Sequence, residues 1–275
     1  MSRNVTAVIT THVRPVHVYE ALSSVRGETH QAMEIVIVDD GGSFVPPAHE
    51  PDLAFHVVRG AGAGVGRARN LGLAAARGEY VIFLDDDDVA MPNRIARLAS
   101  EATDRHADLC FGMTRRVVDG TDDVLDSVPT HLDVPGAVGF CDLLTCAPHV
   151  NAVLARTEAL RAVGGFDEDA EHFDDWSAWL RMADRGATIW SVSETVADWR
   201  LHGNGLSARV LQGRAMKDRL MALFERLMSS LAEENARAVA AARDIVGSAD
   251  IVTYDDYADA LASAREALRV ASVMV

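Results

Sequence analysis

Tyr80-Val81-Ile82-Phe83-Leu84-Asp85-Asp86-Asp87-Asp88 is the stretch on which the reading of this chain turns. Five apolar residues in a row suit a buried strand, and four acids then end it. Carboxylates a few ångströms apart repel by roughly 1 kcal/mol per pair in water and by more in a cleft. A divalent cation converts that repulsion into ligation, because Mg²⁺ and Mn²⁺ favour carboxylate and phosphate oxygens. The alternative is a solvated acidic turn that caps a helix around residues 95–100, with Asp88 or Asn93 as cap and Pro92 near the first turn. Taken alone, the stretch leaves both readings open.

Working outward, residues 5–10 read as a first strand and 19–26 as part of the following helix. Glu34-Ile35-Val36-Ile37-Val38 is a near-continuous apolar run, as expected of a strand buried on both faces of a parallel sheet, and it ends in Asp39-Asp40-Gly41-Gly42. Residues 55–59 suit a third strand, 60–66 a flexible glycine stretch and 67–77 a helix. Strands alternating with helices imply an open α/β sheet. In such sheets ligands bind at the carboxyl ends of the strands, near a switch in strand order. Three strand ends here carry unusual polar groups: Thr10-Thr11-His12, Asp39-Asp40 and Asp85 to Asp88.

Farther along, 109–116 reads as a strand, 121–140 as loop-rich, and 158–166 as a short helix ending at glycine. Residues 174–183 form an amphipathic helix whose Trp176, Trp179, Leu180 and Ala183 face the core. After Ser207 the chain is rich in Ala, Leu, Arg and Glu at helical spacing over 208–245, with a further helix over 254–270. This tail is expected to act as a lid, as a surface for another copy of the chain, or as a buttress for the sheet.

The 275 residues can bury one large core, alone or with an appendage. A formal charge of −15 disfavours binding to nucleic-acid backbones, which requires clustered basic residues. Cys110, Cys141 and Cys146 form no metal-binding pair and suit reduced thiols. No apolar window approaches the roughly 20 residues of a membrane span, and residues 1–15 lack the pattern of a signal peptide. The expectation is a cytoplasmic protein with no integral membrane segment.

Gly60-Ala61-Gly62-Ala63-Gly64-Val65-Gly66 lacks both the dinucleotide and the P-loop spacing. It reads either as a mobile surface loop or as a ligand contact. Arg67 and Arg69, just after it, are placed to face a phosphate or base beside the aspartates. His172-Phe173-Asp174-Asp175-Trp176 is either a helix N-terminus favoured by its acids or the source of a carboxylate general base. His202, in Trp199-Arg200-Leu201-His202, suits either a structural hydrogen bond or a ligand to a Mn-like ion. His12, His17, His30, His131 and His149 show no metal-ligand spacing and read as surface or core.

The order of these motifs resembles that of family 2 inverting glycosyltransferases of GT-A fold. The similar segments are Val8 to Thr11 with Arg14-Pro15, Glu34 to Gly41, Gly64 to Asn70, Ala76 to Asp88, Gly164 to Glu168, Asp174 to Ala183, and Trp199 to His202. The resemblance implies an α/β fold: a Rossmann-like open mixed sheet flanked by helices, spanning residues 1–206, with a C-terminal helical extension over 207–275. It implies Asp175 as the catalytic base and Asp87 with His202 as ligands of Mn²⁺ or Mg²⁺. Nucleotide-sugar contacts would fall on Thr10, Thr11, His12, Arg14, Asp39, Arg67, Arg69, Asp85, Asp86 and Asp174. The implied partners are a nucleoside-diphosphate sugar and an acceptor of unread identity, shaped by residues 130–151 and the tail; a homo-oligomer through the tail is a further expectation. This chain departs from the family pattern in three places. His12-Val13 stands where an asparagine is usual, the D-x-D is extended to four acids, and an E-D pair reads Asp174-Asp175. A sugar nucleotidyltransferase and a non-catalytic glycan- or partner-binding module are the rival readings; the first lacks its lysine- and glycine-rich signature here.

Overall fold

The computed structural model of the protein describes residues 5–14, 16–28, 34–42, 44–46, 55–121, 123–128, 135–170, 172–202, 214–251 and 254–273. Its first half alternates strand and helix: β1 Val5–Thr11, α1 His17–Arg26, β2 Glu34–Asp39, β3 Phe55–Arg59, α2 Val65–Ala75 and β4 Tyr80–Asp85. Then come β5 Val89–Ala90, α3 Arg94–Asp104, β6 Leu109–Val118, β7 Val124–Val128, β8 Gly136–Ala137 and α4 Phe140–Cys146. A short turn of 3₁₀ helix, Val150–Ala152, leads to β9 Val153–Arg156, α5 Thr157–Ala162, α6 Asp174–Asp184 and β10 Ile189–Leu201. The tail forms α7 Arg214–Met228, α8 Glu233–Ser248 and α9 Tyr254–Val273.

The strands order β3-β2-β1-β4-β9-β6-β10-β5, with β7 beside β6 and β8 beside β10. β3, β2, β1 and β4 run parallel, whereas β9 is antiparallel to both β4 and β6. The expected open mixed sheet flanked by helices is therefore observed. Because β1 lies between β2 and β4, the chain progresses outward in two directions from it. The crevice at the carboxyl ends of β1 and β4 is the switch point where such sheets take ligands.

Alternation along the strands divides the core into two layers. Val8, Val36, Val81 and Phe83 face one side with α2, α4 and α6; Ala7, Ile9, Ile37 and Ile82 face the other with α1 and α3. Gly72 lets α2 lie close on β1, since a Cβ there would run into the side chain of Val8. The tail shares the first layer. Leu220, Leu223, Phe224 and Leu227 of α7, Val239, Ala242 and Val246 of α8, and Tyr257, Leu261 and Ala264 of α9 pack in the cluster that holds Trp176 and Trp179. Among the three roles expected for the tail, this packing is that of a buttress.

Two expectations change. The span 121–140, read as loop-rich, contains β7 and β8, which extend the sheet at β6 and β10; residues 129–134 lie outside the described ones. The glycine stretch before α2 is anchored, because Gly62 and Gly64 donate their N–H groups to the carboxylate of Asp40 at 3.0 and 3.2 Å. Gly64 adopts φ +104° as the residue before α2, a conformation open to glycine.

Candidate active site

Sheet register brings the polar strand ends level. Thr10 pairs with Asp85 across β1 and β4, and Thr11 with Asp39 across β1 and β2. The threonine hydroxyls then reach the acidic turn: Thr10 Oγ1 donates to Asp85 Oδ1 at 2.8 Å, and Thr11 Oγ1 to Asp86 Oδ2 at 2.6 Å. Arg14 donates to Asp86 at 3.0 Å and also to Asp87. Between them, just beyond β1, Val13 is exposed with φ +50°, an uncommon conformation for a β-branched residue. Such outliers concentrate at ligand sites.

The four aspartates have four different environments. Asp85 accepts from Thr10 and from Arg69 Nη2 at 2.7 Å. Burial alone would raise its pKa, but Arg69 and His149 outweigh that and hold it below the ordinary value. Asp86 is pushed up to about 6 by burial, with Asp87 adding to the shift against Thr11 and Arg14. Asp87 faces His202, its Oδ2 lying 2.8 Å from Nε2. Asp88 is buried, accepting from Asn151 Nδ2 at 2.9 Å and from the backbone N–H of Arg200 at 3.0 Å. Burial and its acidic neighbours Asp87 and Asp85 lift it well above the usual range.

Asp88 is thus committed to the end of β10 and not to the next helix. Asn93 precedes α3 without a side-chain cap; the N–H of Ile95 is met at 2.6 Å by Glu28, which also pairs with the fully buried Arg94. Arg94 in turn donates to the carbonyls of Phe83 and Asn151. This buried pair ties β4 to the residue that holds Asp88.

Arg69 connects the acidic turn to α6. Its Nη1 donates to both oxygens of Asp174 at 2.9 and 2.7 Å while Nη2 holds Asp85. Asp174 is buried, and its carboxyl sits at about 6: burial raises it, Arg69 opposes, and Asp175 and Asp85 add to the rise. Asp175, one residue on, is only half-buried. Its Oδ2 accepts from the N–H of Val150 at 3.1 Å and its Oδ1 from that of Trp176 at 2.8 Å. Beside Val150 stands His149, a ring nitrogen of which lies within 4.8 Å of carboxylate oxygens of both Asp85 and Asp88. His149 stacks on Trp199 at 4.7 Å between ring centroids, and its buried Nδ1 makes no hydrogen bond among the described residues.

Through the acidic turn, Thr10, Thr11, Arg14, Arg69, Asp85, Asp86, Asp87, Asp174 and His202 are accordingly joined by hydrogen bonds and ion pairs, with Asp175 beside Asp174. Three other expected contacts are not part of this network. Arg67 is half-exposed and pairs with Glu168 at 2.9 Å. Asp39 is fully buried, its carboxylate held by Arg59 and, at 2.9 Å, by the N–H of Phe44. His12 is exposed. His149, read from sequence as surface or core, and Asn151, at the end of the span 130–151 expected to shape the acceptor, lie beside the aspartates; no spacing in the chain links them to those acids.

The donor set fits a hard divalent cation. Carboxylate oxygens and imidazole nitrogens are suitable ligands, and two places offer them: Asp87 with His202, and Asp85 with Asp88 and His149. The buried Nδ1 of His149, without a hydrogen bond among the described residues, supports the fit.

Residues 6–136 match the model of the family described as glycosyl transferase family 2. An uncharacterized glycosyltransferase of Nostoc sp. is 30% identical over 214 residues, covering 68% of this chain and 62% of that relative, so the chain spans under two thirds of its length. Among solved structures, S. aureus TarS 1-349 in complex with UDP-GlcNAc is similar with a TM-score of 0.69 at 16% identity, over 88% of this chain and 72% of that one. A mannosyltransferase of Pyrobaculum calidifontis, in complex with GDP-Man and Mn²⁺, gives a TM-score of 0.63 at 19% identity, over 99% of this chain and 76% of the other. At those identities the two structures bear on the fold.

Proposed function

We propose that the chain, whose residues 6–136 match the model of glycosyl transferase family 2, transfers a sugar from a nucleoside-diphosphate donor to an acceptor nucleophile with inversion at the anomeric carbon. The observation that carries this reading is the bridge Asp85–Arg69–Asp174, which sets the acidic turn and the N-terminus of α6 on one cleft. One end of that cleft is equipped to hold a diphosphate and the other to take a proton.

Asp87 and His202 would hold Mn²⁺ or Mg²⁺, with Asp85, Asp88 and His149 supplying the adjoining oxygen and nitrogen atoms. A bound cation supplies Lewis-acid neutralisation of the departing diphosphate. Thr10, Thr11 and Arg14 fix the aspartates that face it. Asp175 acts as general base: it removes the acceptor's proton while the nucleophile bonds to the anomeric carbon and the bond to the diphosphate oxygen breaks. Positioned base catalysis contributes about 10²–10⁴-fold. The hydrogen bonds from Val150 and Trp176 orient this carboxylate. Asp174, saturated by Arg69, orients the helix and does not take the proton. Among the described residues no helix is long and apolar enough to cross a membrane.

The test is thermal unfolding with UDP, GDP or dTDP, each with Mn²⁺ or with chelator. A ligand at 100 times its Kd raises stability by about 2.7 kcal/mol. At least one nucleotide should raise the midpoint with Mn²⁺ and lose that effect in chelator. No shift with any of them would overturn the reading.

A further inference from the structure

The C-terminal extension packs against the residues that flank the proposed base. Phe173, immediately before Asp174 and Asp175, has φ +62° and ψ +23°, a left-handed conformation that side chains other than glycine seldom adopt. It also precedes α6 without any side-chain cap, where Ser, Thr, Asp or Asn would be usual. Such a conformation persists only when its surroundings impose it. Those surroundings are aromatic. Tyr257 of α9 stacks on the Phe173 ring at 6.5 Å and 16°, and Trp176 meets the same ring edge-on at 5.6 Å. Trp176 in turn packs on Phe224 of α7. Tyr257 is buried, and Arg226 of α7 pairs with Asp167 on the segment leading to α6.

We propose that Tyr257 is a positioning residue: by pinning the Phe173 ring it imposes the left-handed turn that aims Asp175 at the cleft. The φ of Phe173 sets the direction in which α6 begins. From that direction follow the hydrogen bond from Ser177 N–H to Phe173 O, at 2.9 Å, and that from Val150 N–H to Asp175 Oδ2. Without the stacked ring, Phe173 relaxes toward an ordinary conformation and both bonds loosen. The tail thereby serves the site from outside the cleft. The link to catalysis rests on Asp175 being the base; the link to geometry does not.

Amide hydrogen exchange at Val150 and Ser177 tests the geometry without requiring the acceptor. In Tyr257→Ala both amides should exchange at least tenfold faster while those of β1 and β4 keep their rates, and Tyr257→Phe should stay within twofold of the parent. Glycine adopts a positive φ without strain, so in a Phe173→Gly background Tyr257→Ala should change Val150 exchange less than threefold. Unchanged exchange, uniform acceleration across β1 and β4, or equal effects in both backgrounds would overturn the proposal. Should Tyr257→Ala not fold, Tyr257→Leu keeps apolar bulk without a flat ring and carries the same expectations. Full turnover by Asp175→Asn would remove the base assignment while leaving this exchange pattern intact.

Discussion

Asp87 Oδ2 and His202 Nε2 lie 2.8 Å apart although the two residues are 115 positions apart in the chain. β10 delivers His202 to the acidic turn, and the turn grips β10 in return, since Asp88 accepts the N–H of Arg200 two residues before the histidine. Two groups so placed can share one cation. Asp87→Ala and His202→Ala should each weaken nucleotide affinity at least tenfold in Mn²⁺ and leave it unchanged in chelator. Calorimetry in both conditions checks this, and equal losses in both would count against a shared ion.

Arg69 is the central ion of the site, buried between the buried carboxylate of Asp174 and the half-buried one of Asp85. Breaking a buried pair by deleting one partner costs about 3–5 kcal/mol, because the remaining charge is stranded. Arg69→Met should lose about that much in urea unfolding. Arg69→Lys keeps the charge without the planar fork and should fall between the two. A loss under about 1 kcal/mol for Arg69→Met would show the bridge to be dispensable.

Asp174 gives the stability a pH dependence of definite sign. Its carboxyl binds a proton more tightly in the folded chain, at about 6, than in the unfolded one, at about 3.9. Between those values the folded state holds more protons, so this group's contribution is full below about pH 4 and is lost as pH rises through about 6. The unfolding free energy of the parent minus that of Asp174→Asn should therefore drop between pH 4 and 6.5, by at most about 3 kcal/mol. A constant difference across that range would contradict the assignment.

The three thiols should separate by reactivity. Burial pushes Cys110 up to about 12 and Cys146 higher still, whereas Cys141 is exposed on α4 with a smaller rise from burial, Asp142 and Glu234. Thiolate is the reactive form. A disulfide reagent at pH 8 should titrate one thiol in the folded protein and three after denaturation. Two or more fast thiols in the native state would show that the core around Cys110 or Cys146 opens readily.

Much of this was legible from local pattern. The apolar runs 34–38 and 80–84 become β2 and β4, and parallel register with β1 between them sets Thr11 level with Asp39 and Thr10 level with Asp85. Trp176 and Trp179 face the core at the spacing the sequence displays. What was illegible depends on distant pairings. Arg69 looks like a free phosphate ligand until Asp174, 105 positions away, is folded against it. Arg67 turns outward to Glu168, and Asp39 is taken by Arg59 on the neighbouring strand. His149 carries no spacing signal, because β9, α4 and the 3₁₀ turn bring it to the aspartates through tertiary packing. The left-handed Phe173 could not be foreseen either, since the aromatic partner that sustains it lies in the tail.

The most direct measurement is release of nucleoside diphosphate from a panel of UDP-, GDP- and dTDP-sugars in Mn²⁺ by the parent chain and by Asp175→Asn, with donor affinity measured alongside. The account predicts metal-dependent release by the parent on at least one donor, a loss of at least 100-fold in Asp175→Asn, and donor affinity within twofold. Equal release by a folded Asp175→Asn, or none from any donor of the panel by the parent, would contradict it.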